Sequence, residues 1–409
     1  MLKTKQIAIG LIAAFVLLIQ SVNVNAQQPA PPTKPSMDIY GFAMMDIGHD
    51  FNAINPDWFD VMRPTKLPSF PLEFGKNNST FAGVRQTRFG VKTSVPTDLG
   101  ELKTIFEYEL FGTGVDAGQT TFRLRHAYGE LGEFGAGQTW SPFMDPDVFP
   151  NSLEYWGPPG MVFYRNVQFR WMPLRGDTHV TIALERPGAS GDQGATAGLI
   201  QLQNVRPRFP LPDLTGEFTW GGHNWGYLRF AGVVRKIHWD DLVPDQFDLS
   251  GNATGWGVNV SSNINWGANK KNVIRLQAVY GAGIENYMND ATVDIGAQLN
   301  LSDPRSPVVG KALPVFGTVA FFDHKWNEKW SSTGGYSSIR IDNTSGQLSS
   351  SFKYGQYALA NIWYYPVDKV QMGVEYQWGH RDNDSDGFKQ NGNKLQVSFK
   401  YNFSYNLGG

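Results

Sequence analysis

The sequence predicts an all-β protein, a sixteen-stranded antiparallel transmembrane β-barrel, on three observations. Apolar and polar residues alternate with period two, as they do when successive side chains of a strand point to opposite faces. The alternating segments run about 10–13 residues, longer than the roughly 5–6 of an average soluble strand and suited to a tilted membrane crossing of about 9–11 residues. The connections between them are by turns short and long, the pattern of a barrel with tight turns on one side of a membrane and loops on the other. Composition narrows the classes. The chain has 409 residues, 14% of them aromatic, with 45 glycines, no cysteine and a net charge of −2. Mean hydropathy is −0.32, which excludes a helical membrane protein built on apolar runs of about 20 residues. Without cysteine there are no disulfides, thiolate metal sites or thiol nucleophiles. The charge balance gives no footing for nucleic acid.

In chain order, Lys3 and Lys5 precede an apolar run from Ile7 to Ile19, and small residues end the segment at Ala26. That is the form of a secretory signal peptide, residues 1–26, cleaved after Ala26. Its removal takes away two lysines and no acid, leaving a net charge of −4. Residues 27–36 carry four prolines and read as an extended periplasmic lead-in. The barrel is expected over 37–403. Thr104, Phe106, Tyr108 and Leu110 oppose Lys103, Glu107 and Glu109; Phe122, Leu124 and Tyr128 oppose Arg123 and Arg125. Later, Ile274, Leu276, Ala278 and Tyr280 oppose Arg275 and Gln277, and Val370 to Trp378 alternates against Gln371, Glu375 and Gln377. Leu395, Val397, Phe399, Tyr401 and Phe403 form the last apolar face. Short turns are expected near 96–100, 132, 173–177, 221–225, 264–271, 325–327 and 366–368. Long loops are expected near 49–80, 112–120, 139–161, 187–212, 240–251, 283–313, 342–354 and 382–392. Seven turns and eight loops require sixteen strands with both ends on the short-turn side. Val293–Leu301 also alternates, but an extra wall strand would break that count, so it is assigned to the 283–313 loop. Trp171, Trp239, Trp326, Trp330, Tyr364, Tyr365, Trp378 and Tyr401 lie near strand ends and are expected in aromatic girdles. Phe403 is expected to end the last strand, with 404–409 as a tail.

Sixteen strands enclose an aqueous channel. If the apolar parity faces lipid, Arg88, Lys92, Arg123, Arg125, Arg170, Arg229, Arg235 and Arg275 line the water. A lipid-facing Arg at mid-membrane costs about 2–4 kcal/mol, so eight together are not tolerated there. The acids on that parity are fewer, Glu107, Glu109 and Glu375, and a basic lining favours anions. Arg165 falls on the apolar parity and is expected near an interface or a bulge. The 139–161 segment holds five prolines, five aromatics and three acids, and is expected to fold inward as a third outer loop that constricts the pore. Its Asp145, Asp147 and Glu154, with Tyr155 and Trp156, would then set acids across from the basic wall.

Other signals are weak. Asp382, Asp384, Asp386 and Gly387 match the opening of a calcium loop, but Asn393 stands at the twelfth position where a bidentate Glu is needed. Weak calcium binding on an outer loop is one reading and a solvated hairpin the other; no further cofactor is expected. Glu107 and Glu109 have a spacing that could suit glycoside hydrolysis, and a secreted or surface β-rich carbohydrate-binding protein or glycosidase is the alternative function class. No histidine pair has ligand spacing, and the glycine fragments lack a following helix.

Several strings are specific: YGFAMMDIGHDF (40–51), DWFDVMRPTKLP (57–68), FRLRHAYGELG (122–132), GQTWSPFMDP (137–146) and PNSLEYWGPPGMVFYRNVQFRW (150–171). Together with GIENYMND (283–290) and FFDHKW (321–326), they resemble the DcaP-like outer-membrane porins. The resemblance implies a homotrimer in the bacterial outer membrane, amid its lipid and lipopolysaccharide. It also implies a third loop constricting the pore, and diffusive uptake of small anions such as dicarboxylates. The family's basic ladder would fall on Arg88, Arg123, Arg125 and Arg170. Two departures stand out: residues 27–36 are too short and proline-rich for the coiled-coil extension of some members, and Phe403 is not terminal.

Overall fold

A computed structural model describes residues 34–267 and 270–408. The export signal at 1–26 and most of the proline-rich lead-in lie outside the described residues. Sixteen antiparallel barrel strands follow one another around the wall: β1 (Ser36–Asp50), β2 (Ser79–Gly83, resuming as Arg88–Thr97), β3 (Gly100–Phe111), β4 (Thr120–Leu131), β5 (Phe134–Trp140), β6 (Arg165–Leu174), β7 (His179–Glu185) and β8 (Asp213–His223), then β9 (Gly226–Asp241), β10 (Gly251–Trp266), β11 (Asn272–Ala282), β12 (Pro314–Asn327), β13 (Trp330–Ile341), β14 (Phe352–Tyr364), β15 (Val370–Asn383) and β16 (Lys389–Leu407). Each pairs with its sequence neighbour, and β1 closes the sheet on β16 from Met37↔Leu407 to Asp50↔Lys394. Closure leaves no unpaired edge, which the hydrocarbon of a membrane requires.

Most short turns and long loops fall where the alternation places them, but the turn expected at 325–327 comes at 328–329, and the loop expected at 382–392 shortens to 384–388 because β15 and β16 extend into it. Ile295–Leu299 does not join the wall; it pairs with Val308–Ala312 and Gly191–Asp192 in a separate three-stranded sheet. The last strand, however, runs to Leu407, because Ser404–Leu407 pairs with Met37–Tyr40. The residues expected as a tail thus extend the barrel seam.

The outer face is apolar, with Met45, Phe122, Phe169, Val234, Val258 and Tyr376 among its exposed side chains. Two expected girdle residues are not on it. The indole of Trp239 donates to the Leu249 carbonyl on the loop side, and Tyr365 packs with Trp363, Met44 and Leu153 on the inner side. The main core lies inside the barrel. Met62, Leu67, Phe143, Met144, Val148, Met161, Val162, Tyr287 and Met288 from three loops pack against inward-facing Val279, Val315, Val319, Phe321, Ile339, Ile341, Tyr357 and Leu359. A wall expected to be polar inside is therefore apolar across β11–β14, because loops cover it.

Candidate functional site

The loop after β5, residues 141–164, is held to the inner wall on three sides. Its first half lies along β9–β11: Arg229 donates to the Pro142 and Met144 carbonyls at 2.9 and 3.0 Å, and Asn259 to that of Phe143 at 2.9 Å. Asp145 accepts from Ser261 at 2.5 Å and Tyr227 at 2.7 Å, while Asn263 and Arg275 donate to the Asp147 carbonyl. Its second half lies along β14 and β15. Asn361 and Trp363 donate to the Asn151 carbonyl, and the Glu375 carboxylate accepts from the backbone N–H of Leu153 and Glu154 at 2.8 and 3.1 Å. The third contact is with β3 and β4, where the Tyr155 hydroxyl donates to Glu109 and its ring stacks on Phe111 at 3.9 Å. Arginines, asparagines and a tryptophan of the wall thus satisfy the loop's carbonyls, and a wall carboxylate satisfies its amides.

The two other long loops brace this one. Arg63, from the loop after β1, lies between the Trp58 and Trp156 rings, 4.1 and 3.9 Å from their centroids, and pairs with Asp290 of the loop after β11 at 2.8 Å. Asp290 also accepts from the Thr65 N–H and hydroxyl, and Trp156 donates to the Asn289 carbonyl. The irregular break in β2 between Gly83 and Arg88 aims two side chains inward, as bulges do. Arg85 pairs with Asp60 at 2.6 Å, and Gln86 bonds Asp46 and the Leu153 carbonyl.

The centre of charge lies on β2–β4. Glu109, with a side chain 0% exposed, stands among Arg125 at 2.6 Å, Arg88 at 3.2 Å, Arg123 at 3.6 Å and Arg165 at 3.9 Å. Glu107 takes Arg125 at 2.5 Å and Arg88 at 3.7 Å, and accepts from the Tyr40 hydroxyl at 2.7 Å. Four guanidiniums therefore face two carboxylates, and two positive charges are uncompensated within the cluster. Arg88 and Arg123 are its open members, with side chains 25% and 27% exposed. Toward the turn side, Lys92 lies 4.9 Å from the Tyr40 ring and Lys400 lies 4.2 Å from that of Phe42. Neither lysine has a carboxylate partner among the described residues. A cavity of about 360 Å³ opens here, lined by Tyr40, Phe42, Arg88, Glu107, Lys369 and Asn402.

All eight expected pore-lining cations face inward, but they do not form one free ladder. Arg235 is buried, held by Asp213 at 3.1 Å and Asp294 at 3.0 Å, and clamps the loop after β11 to the wall. Arg275 pairs with Asp323 at 2.6 Å, and Arg229 approaches Glu217 at 3.8 Å while holding the loop's backbone. Arg170 lies over the Tyr128 ring and donates to Gln168 and the Trp140 carbonyl. More inward acids offset the bases than parity suggests, including Asp46, Asp50, Glu185, Asp213 and Glu217. Arg165, expected near an interface or a bulge, opens β6 at the end of the preceding loop and folds inward over Trp140.

The loop acids also differ from expectation. Asp145 meets hydroxyls, whereas Asp147 is exposed with the wall arginines Arg229 and Arg275 close enough to act on its carboxylate. Glu154 lies near another acid, Glu375, and accepts from the Met62 and Gly157 N–H groups. Burial first, and Glu375 after it, push its carboxyl up to about 8. The outer-loop aspartates do not converge: Asp382 bonds His380 and Lys389, Asp384 pairs with Lys353, and Asp386 bonds Asn383 and the Phe388 N–H. Among the described residues, no three His, Cys, Asp or Glu side chains are grouped to hold a metal ion. Nor do Glu107 and Glu109 flank an open cleft as a glycosidase pair does, since arginines engage both. Sequence reading missed Arg63, Arg85 and Lys394, the last buried between Asp50, the Phe59 carbonyl and the Phe81 ring. Lys394 does stand on the polar parity of β16; Arg63 and Arg85 lie outside any alternating segment.

The family profile described as DcaP outer membrane protein matches residues 6–215. Among solved structures, the outer membrane channel DcaP of Acinetobacter baumannii superposes with a TM-score of 0.72 at 20% identity, over 91% of this chain and 99% of that one. An anion-selective porin from Comamonas acidovorans gives 0.56 at 9% identity, over 90% and 100%. OmpT of Vibrio cholerae, in its trimer form, gives 0.53 at 12% identity, over 90% and 100%. At such identities these structures share the fold. No curated protein sequence matches.

Proposed function

The chain belongs to the DcaP outer membrane protein family, and we propose that it is a passive, non-catalytic channel, assembled as a trimer, that favours small anions such as dicarboxylates. The carrying observation is the charge surplus on β2–β4 and at the start of β6: four guanidiniums around Glu107 and Glu109, with Arg88 and Arg123 the open pair. A buried carboxylate among arginines pre-orients their donors, and planar guanidinium matches carboxylate two bonds at a time. Lys92 and Lys400 continue the positive lining toward the turn side, neither ion-paired to a carboxylate among the described residues. In this reading the 141–164 loop narrows the passage, and solute slides from arginine to lysine without a tight site, since a conducting pore must also release its ion. The anion-selective porin and the trimeric OmpT among the structural neighbours support the same reading.

The test is single-channel recording of purified protein in a planar bilayer with succinate added to one side. Transient current block by succinate, reduced severalfold in R88Q/R123Q, is expected. Channels that succinate does not disturb contradict the dicarboxylate preference, and the absence of channels contradicts the whole reading.

A further inference from the structure

The outer end of β9 carries charge that the pore does not use. Along its outward face, Phe230 and Val234 are exposed, and the next outward positions are Lys236, His238 and Asp240. The register sets Trp256, Thr254 and Asn252 of β10 opposite Val234, Lys236 and His238. On the other side, the short strand Val205–Arg208 sets Arg208 opposite His238 and Arg206 opposite Asp240. Residues directly opposite in an antiparallel pair share a face. Arg206, Arg208, Lys236 and His238 therefore stand together on the membrane-facing side, just beyond the exposed rings of Trp256 and Tyr280.

The patch is not self-neutralised. Asp240 is taken by Arg208, at 2.5 and 3.0 Å. Lys236 donates to the Thr254 hydroxyl, and Arg206 donates only to the Gln203 and Val205 carbonyls. Among the described residues, Arg206 and Lys236 thus bring two cations without carboxylate partners; Arg206 stands opposite Asp240, four residues beyond Lys236 along β9, or about 13 Å at the rise of a strand. The outer end of β1 and β2 presents His49 bonded to Thr80 instead.

We propose that this face docks the phosphorylated headgroup of outer-leaflet lipopolysaccharide. Its acyl chains lie over Phe230, Val234 and Trp256, and its two phosphates, at opposite ends of the sugar headgroup, are taken by Arg206 and Lys236. Charge complementarity beside the aromatic girdle carries the assignment, since basic side chains at that depth meet anionic headgroups. The surface is independent of the solute that the pore carries.

The test titrates the full purified protein in detergent with lipopolysaccharide and with the same lipid after dephosphorylation. Phosphate removal and R206Q/K236Q should each weaken binding by about tenfold or more, whereas the charge-retaining R206K/K236R binds as the parent does. R340Q, on the outward face of β13, should also leave binding unchanged. A heat-modifiable shift on gels verifies folding of each variant. Equal binding by folded R206Q/K236Q, or equal binding of dephosphorylated lipid, overturns the proposal.

Discussion

Glu109 shows why single residues in this lumen have outsized consequences. Its carboxylate touches Arg88, Arg123, Arg125 and Arg165 and accepts the Tyr155 hydroxyl, so it neutralises the wall and ties down the inner loop at once. Removing one partner of a buried ion pair costs about 3–5 kcal/mol, because the other charges stay buried without it. Glu109→Gln should therefore lower the chemical-denaturation midpoint of the folded barrel and, in the folded fraction, move the reversal potential further toward anions. An unchanged midpoint would mean the pairs contribute nothing net. Parity found this residue and its partners Arg88, Arg123 and Arg125, although a bulge in β4 at Arg125 breaks the alternation beyond it and turns Tyr128, expected outward, under Arg170 instead. It missed Arg165, because the first residue of β6 still follows the course of the preceding loop. It could not show that Arg235 is consumed by Asp294, an acid 59 residues away on a loop.

At the scale of elements, three loops form one interlocked body inside the wall. Arg63 joins them, stacked between Trp58 and Trp156 and paired to Asp290. Asp290→Asn should loosen this junction, raising open-channel current noise and speeding proteolysis in the 51–78 loop; a parent-like digestion rate would contradict the bracing role. Glu154 predicts a pH dependence. Its carboxyl is raised from an ordinary 4.5 to about 8 by burial and then by Glu375. Its contribution is thus fully present below about 4.5 and lost as pH rises through about 8, where ionisation sets two carboxylates against each other. Hydrogen exchange of 151–157 should accelerate between pH 7 and 9.5 in the parent more than in Glu154→Gln, after correction for intrinsic exchange. Equal acceleration in both would assign the change elsewhere. The inward packing also explains what alternation could not reveal. Val315, Val319 and Phe321 on β12 face loops, while Phe316 and Phe322 face outward, so the strand is apolar on both sides.

For the whole molecule, the fold was legible because a closed barrel repeats one physical rule sixteen times: two faces, two solvents, short turn, long loop. The seam was less legible. Ser404–Leu407 reads as a tail, yet its pairing partners Met37–Tyr40 stand at the other end of the chain, and strand pairing across 368 residues leaves no local mark. The lumen's net sign was the hardest quantity, since it is a small difference between many inward bases and many inward acids. The account stands on that difference being positive where the passage is open, at Arg88, Arg123, Lys92 and Lys400. It is tested most directly by the zero-current potential of the purified channel in a planar bilayer across a tenfold potassium chloride gradient. An anion-selective sign, reduced in R88Q/R123Q, is predicted; a cation-selective sign in the parent protein would contradict it.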